Sequence, residues 1–309
     1  MAAPAIGANA VLVRGYFLQG FYPSGRERTA DGFEPSGALV KAMLLHSSQR
    51  MATIVNDKGE AQELTEYPSP EQGYGRIQLD TVLHFSDAGR DPLSLFVIGA
   101  VDKNSPYYYV MTNTGDKVSY VVTTGTTSSS STSSQLKVTL AYTDKPGVAG
   151  SGKVLVNDLD VSVTVQDGSY GSIVTYLPIP NSANSRIDNV EVIIIPNPRA
   201  STNYTITVSA YSLSCKQPFA LVVTGHVSSY NMTEATPSAL ATWFTRIRNL
   251  DPEVKALIST LSVVLFILGG IVLSILYMNR STYSELRNKA SKNAHRKRWR
   301  GAGGVGGAA

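Results

Sequence analysis

The stretch VNDLD, residues 156–160, concentrates side chains with chemical potential. Asn157, Asp158 and Asp160 place three oxygen-bearing groups within four residues. Such a group could contribute to a Ca²⁺ site, which takes about six to eight oxygens. On a strand, Asp158 and Asp160 share a face. The same residues also suit a turn into VSVTV, with their side chains bonded to the local backbone. Calcium is the one cofactor for which the sequence offers a place. The four histidines, His46, His84, His226 and His295, show no Ser-His-Asp spacing. His46 ends an apolar helix, where a positive charge would suit the dipole. The single cysteine, Cys215, excludes an intrachain disulfide and is read as buried rather than paired with another chain. KPGVAGSGK, residues 145–153, is glycine-rich but lacks the phosphate-loop spacing and joins two strands.

Two kinds of element must position these groups. Residues 1–84 read as helical with turns. MAAPAIGANAVLVRGYF suits a helix with Pro4 in its first turn, where a missing N–H does little harm. Apolar or small residues surround it on all sides, the pattern of a helix buried inside a large domain. Ser36 suits the cap of a second apolar helix running to about His46. From Phe85 the pattern changes to short β runs: SLFVIG, YYYVMT, KVSYVVTTG, QLKVTLAYT, VSVTVQDG, NVEVIIIP, NYTITVSAYS and PFALVVTGHV. Their number and spacing predict a β-sandwich or jelly roll over residues 85–227. TTGTTSSSSTSS, residues 123–134, interrupts it as a flexible loop. Residues 228–255 read as a stalk.

The net charge of +4 over 309 residues is unevenly spread. From Arg280 onward there are eight Lys or Arg and one acid, a balance of +7, so the remainder sums to −3. The basicity belongs to a tail, and no nucleic-acid partner is expected. Just upstream, Ala256–Asn279 is uncharged over 24 residues. At about 1.5 Å per residue it spans roughly 36 Å, enough to cross a hydrocarbon core of about 30 Å. Its flanking positive charge is heavier on the C-terminal side, with eight Lys or Arg there against Arg246, Arg248 and Lys255 before the span. That predicts a single-pass protein with residues 1–255 lumenal or extracellular and the tail, 280–309, cytosolic. The lipid bilayer is thus one expected partner. Two N-glycosylation sequons, Asn203-Tyr-Thr205 and Asn231-Met-Thr233, agree with an exterior location. An exterior domain needs a secretory signal, yet the chain opens without a basic start.

The opening resembles subtilisin-like serine proteases, the subtilases, just after their nucleophile. Met1-Ala2-Ala3-Pro4 matches the Met-Ala-x-Pro of that family's Gly-Thr-Ser-Met-Ala-x-Pro motif. The nucleophilic Ser would then stand immediately before Met1. PSGALVKAMLLHSS, residues 35–48, is similar to the family's next helix, and EQGYGRIQLDTVL, residues 71–83, to its closing Gly-x-Gly-Arg segment. LAYTDKPG, VLVNDLDVSVT, NVEVIIIPNP and PFALVVTG are similar to the jelly-roll domain that follows the catalytic domain in one group of subtilases. The resemblance covers about residues 1–226. It implies the C-terminal helical remnant of an α/β subtilisin-like catalytic domain (1–84), an all-β jelly-roll or sandwich domain (85–227), and beyond the stalk one transmembrane helix (256–279). It implies a serine endopeptidase acting on protein or peptide substrates, with its Asp, His, oxyanion-hole Asn and Ser all upstream of Met1. This chain alone is therefore expected to be inactive and to be a fragment. The rival expectation is a non-catalytic, membrane-anchored β-sandwich that binds or braces, which holds if Met1 is the true start.

Overall fold

A computed structural model describes residues 2–55, 57–86, 94–125, 135–152, 154–167, 172–179 and 186–236. Met1, residues 126–134 of the Ser/Thr-rich run, the expected span 256–279, the tail 280–309 and His295 lie outside the described residues. Among the described residues no helix is long and apolar enough to cross a membrane.

Two helices come first, α1 (Ala2–Leu18) and α2 (Gly37–His46). The start of α2 is set by its cap: Ser36 Oγ accepts the Leu39 N–H at 3.1 Å. Strands follow: β1 (Thr53–Val55), β2 (Ala61–Glu63), β3 (Ser94–Ile98), β4 (Val110–Met111), β5 (Lys117–Thr124), β6 (Gln135–Ala141), β7 (Asp158–Asp167), β8 (Ser172–Tyr176), β9 (Val190–Pro196), β10 (Asn203–Ser212), β11 (Gln217–Pro218), β12 (Ala220–Gly225) and β13 (Val227–Thr236). A five-stranded sheet has the order β13-β5-β10-β7-β8 and a four-stranded sheet the order β3-β12-β6-β9, with every pairing antiparallel. The arrangement is sandwich-like.

The two sheets differ in what covers them. In β5 and β10 alternate residues are buried: Val118, Tyr120 and Val122, and Tyr204, Ile206 and Val208, face the partner sheet. Their neighbours Ser119, Thr123, Thr205 and Thr207 face outward, the pattern of a sheet wet on one side. Strands β6 and β12 do not alternate. Leu136, Val138, Leu140, Leu221 and Val223 join the inter-sheet core. Ala141, Ala220 and Val222 instead join a second core with Val13, Tyr16 and Phe17 of α1 and Leu39, Ala42 and Met43 of α2. The four-stranded sheet is therefore dry on both faces. Each fully buried Val, Leu or Phe contributes about 1.5–3 kcal/mol relative to exposure. The approach of α2 is close: a Cβ on Gly99, just past β3, would lie 2.8 Å from the Leu39 Cβ, and its φ of +142° also suits glycine.

Polar groups in this dry layer are matched. His46 is fully buried, with Nδ1 at 2.9 Å from Thr139 Oγ1 and Nε2 at 2.7 Å from Thr224 Oγ1. Lys137 Nζ donates to the carbonyls of His46 at 2.7 Å and Ser48 at 3.1 Å, at the end of α2. The charge expected on His46 is not there: burial first, then the nearby Lys137, holds the imidazole well below its usual range. The lysine, not the histidine, answers the negative end of the helix dipole.

Several boundaries differ from expectation. The stalk does not begin at residue 228, because Val227–Thr236 pairs with β5 as an edge strand. Over residues 227–231 its exposed Ser228, Ser229 and Asn231 show why the start of this strand reads as polar coil. The exposed hairpin β1–β2 and the edge strand β8 were not foreseen, and YYYVMT supplies only the two residues of β4. Helix α1 is not buried all round either: Ile6, Val11 and Leu12 are 48%, 71% and 61% exposed.

Replacing Lys137 by Ala would leave two buried carbonyls without their donor. The expected loss of unfolding free energy is about 2–4 kcal/mol, measured by urea denaturation. A loss below about 0.5 kcal/mol would show that water enters to replace the ammonium.

Candidate functional site

Three of the quoted motif segments meet at one end of the sandwich, around Asn157. The Asp144 carboxylate closes the loop between β6 and β7, accepting the N–H groups of Val156 at 2.6 Å and Asn157 at 3.0 Å. The Tyr142 hydroxyl donates to the Asn157 carbonyl at 3.1 Å. Asn157 is fully buried and its amide is fully used: Nδ2 donates to Gln217 Oε1 at 2.8 Å, and Oδ1 accepts the Ser214 N–H at 2.8 Å. Gln217 Nε2 in turn donates to the carbonyls of Thr143 and Pro218. Cys215 is half-buried rather than buried, with Sγ at 3.3 Å from Asn157 Nδ2.

Asp158 and Asp160 turn to the other side, as alternation on β7 requires. Both carboxylates converge on Arg186, whose Nη1 donates to Asp158 Oδ1 at 3.1 Å and to Asp160 Oδ1. The guanidinium also lies 3.5 Å over the ring of Tyr211. A bulge in β10 between Ala210 and Ser212 delivers that ring. Beneath this pair Glu191 of β9 reaches across to the other sheet, its Oε2 accepting the Val161 N–H at 2.6 Å. Strand β8 pairs with β7 only from Val163 onward, so the Val161 amide has the carboxyl where a further strand residue would be. Burial pushes the Glu191 carboxyl up to about 8, and Asp160 and Asp158 push the same way against the bond from Val161.

The residues present do not fit calcium. Asn157 faces away from the two aspartates and has no free oxygen lone pair aimed at them, and Arg186 supplies the positive charge between them. Among the described residues no group of three or more His, Cys, Asp or Glu side chains gathers as a metal site. The structure splits the predicted trio into a structural amide and a guanidinium cradle. The acids are legible in VNDLD, but Arg186, Tyr211 and Glu191 are not, since they lie 26 or more residues away on other segments. Lys137 and Thr139 did carry a signal, as polar residues inside the apolar run QLKVTLA.

The other singled-out residues lie apart. Ala2 and Pro4 open α1 and are exposed. Neither ring partner of His46 is a carboxylate. His84 accepts the Tyr16 hydroxyl on its carbonyl at 2.9 Å. His226 packs over Gly125 beside an open cleft of about 360 Å³ lined by Thr123, Thr124, Ser201, Val227 and Ser228. Asn203 and Asn231 are both exposed, on β10 and β13.

No protein-family model matches the chain. It is distantly similar to serine protease/ABC transporter B family proteins of Dictyostelium discoideum. With tagD it shares 24% identity over 265 residues, covering 76% of this chain and 14% of the relative. With tagB it shares 27% over 269 residues, covering 78% and 14%. With tagA it shares 32% over 162 residues, covering 52% and 8%. The chain thus spans a seventh or less of the length of these curated relatives.

Three outcomes follow from the cradle. Glu191 has a folded pKa raised above its unfolded value, so between about pH 4.5 and 8 the unfolded state loses a proton that the folded state keeps, and stability falls as pH rises. Glu191→Gln, which mimics the protonated form, is expected to be the more stable protein at pH 8, with the advantage vanishing towards pH 4.5. Thermal melts across that range check it. Separately, millimolar Ca²⁺ or a chelator is expected to leave the melting temperature of the chain unchanged. Arg186→Ala is expected to lower that temperature by several degrees, since it leaves Asp158 buried without its guanidinium.

Proposed function

We propose that this chain is the C-terminal portion of a membrane-anchored, subtilisin-like serine endopeptidase. In this reading α1 is the helix that follows the nucleophile, α2 and the Gly73–Arg76 segment close the catalytic domain, and the sandwich is a jelly roll that braces it. One observation carries the reading. Helix α1 buries only Val13, Tyr16 and Phe17, in its last turns, and leaves Ile6, Val11 and Leu12 open. A helix with apolar residues on all sides, buried on one face of its C-terminal half alone, fits a domain whose remainder lies against the bare surface. The distant similarity to proteins named for a serine protease supports the same class of parent.

The reading places residues 1–255 outside the cytosol, with 256–279 as the membrane span and the basic tail on the cytosolic side. The names of the relatives join a protease to a transporter, which suits a chain passing from an exterior domain into a bilayer. The triad would come from residues ahead of Met1: a Ser attacks the peptide carbonyl, a His carries its proton, and an Asp holds the His. What this chain supplies is the helix on which that Ser is mounted and the sheet that anchors the helix.

The native protein, captured with an antibody to the exposed β1–β2 hairpin, tests this. Labelling with a fluorophosphonate and peptide mapping are expected to find the probe on a Ser joined directly to Met1. An N-terminus at Met1 or Ala2, with no upstream peptide and no probe, would instead make it a β-sandwich protein without the family's triad.

A further inference from the structure

We propose that Asn203 and Asn231 both carry N-linked glycans, so that the outer face of the five-stranded sheet is sugar-covered. The proposal rests on the exterior placement of residues 1–255 argued above. The two sequons are far apart in sequence, yet the fold brings them to one surface. On β10 Tyr204 points inward and is 1% exposed, so Asn203 points outward. On β13 Tyr230 packs against the inter-sheet core, so Asn231 points outward on the same side. Register fixes their separation. Asn203 pairs with Thr123 and Asn231 with Val121, on opposite sides of β5. Strand spacing and rise then put the two asparagines roughly 12 Å apart.

The surroundings suit the modification. Asn203 Oδ1 accepts the Thr123 hydroxyl at 2.8 Å, which engages the oxygen and not the nitrogen that reacts. Outward neighbours are small and hydroxylated, among them Ser119, Thr123, Thr205, Thr207 and Ser229. A pyranose can lie over such a face without displacing a bulky side chain. In the transfer, Asn Nδ2 forms a bond to the sugar C1 of a lipid-linked oligosaccharide donor. The bond from C1 to the diphosphate oxygen breaks, and the amide proton leaves to solvent as the lipid diphosphate departs. No oxidant or reductant is involved. The consequence is a division of labour: glycans block one broad face, and protein contacts are confined to the opposite, helix-bearing side.

The test uses the native protein in sealed membrane vesicles. After capture, treatment with a peptide N-glycosidase in H₂¹⁸O converts each glycosylated Asn to ¹⁸O-labelled Asp. Label is expected at both 203 and 231 by peptide mass spectrometry. Protease protection of the intact vesicles is measured alongside. Protected residues 1–255 with label at neither position, or at one only, overturn this proposal and leave the exterior reading standing. Cleavage of those residues from the cytosolic side, with no label, overturns both.

Discussion

The four-stranded sheet has no wet face, and the rest of the molecule follows from that constraint. A strand buried on both sides can carry polar groups only where partners meet them, since an unpaired buried amide or charge costs several kcal/mol. Strand β6 carries Lys137 and Thr139, and β12 carries Thr224, all on the helix side. Their partners are the end of α2 and the ring of His46. The helix terminus, which needs a donor for its last carbonyls, and the sheet, which needs a place for an ammonium, complete each other. Burial pushes the Lys137 ammonium down to about 8, and the two carbonyls are the partners it meets there. The helices are therefore not an appendage to a finished sandwich. Without them the outer face of β6 and β12 would expose Val222 and Ala220 and strand three polar groups.

The opposite sheet solves a different problem. Its outer face is wet, and it is closed at one end by a cluster that bonds β6, β7, β9, β10 and β11 together. Asn157 is its pivot because an amide can both donate and accept, and here it does both within the same buried pocket. Arg186 does for two aspartates what a divalent ion does in other loops, with a difference of consequence. A guanidinium is held covalently and by an aromatic face, so the clasp does not depend on free cation concentration. The raised Glu191 carboxyl makes it pH-sensitive instead, favouring acid over alkali.

How much was legible follows the same physics. Residues 203–212 form β10 as the quoted run implied, because alternation over ten residues has a single burial solution. Ser36 marked the start of α2 because a cap is a local bond. Strands β8 and β13 lie at the two edges of their sheet, and the polar run of β13 resembles coil. The pairing of Asp158 and Asp160 with Arg186 joins residues 26 and 28 positions apart across a crossover, and no local pattern encodes it. The acids alone looked like a cation site because the cation was elsewhere in the chain.

Helix α1 leaves a tension that its own contacts do not resolve. It carries Gly7 and Gly15 in its interior, and a Cβ added at either would meet nothing within 4 Å. A mid-helix glycine costs about 1 kcal/mol relative to alanine, and most helical stability in a protein comes from packing of the helix face. Packing on α2, in the core that both helices share with the four-stranded sheet, secures only the turns around Val13, Tyr16 and Phe17. The earlier turns offer Ile6, Val11 and Leu12 to solvent and bear a glycine with no neighbour to make room for. Apolar exposure and needless glycine are each unfavourable when that side of the helix is bare. Both become favourable when another backbone passes close along it, because glycine then permits the approach and the apolar side chains are buried by it. The composition of α1 thus agrees with the proposed reading, in which a further part of a catalytic domain lies along the side that α2 leaves bare.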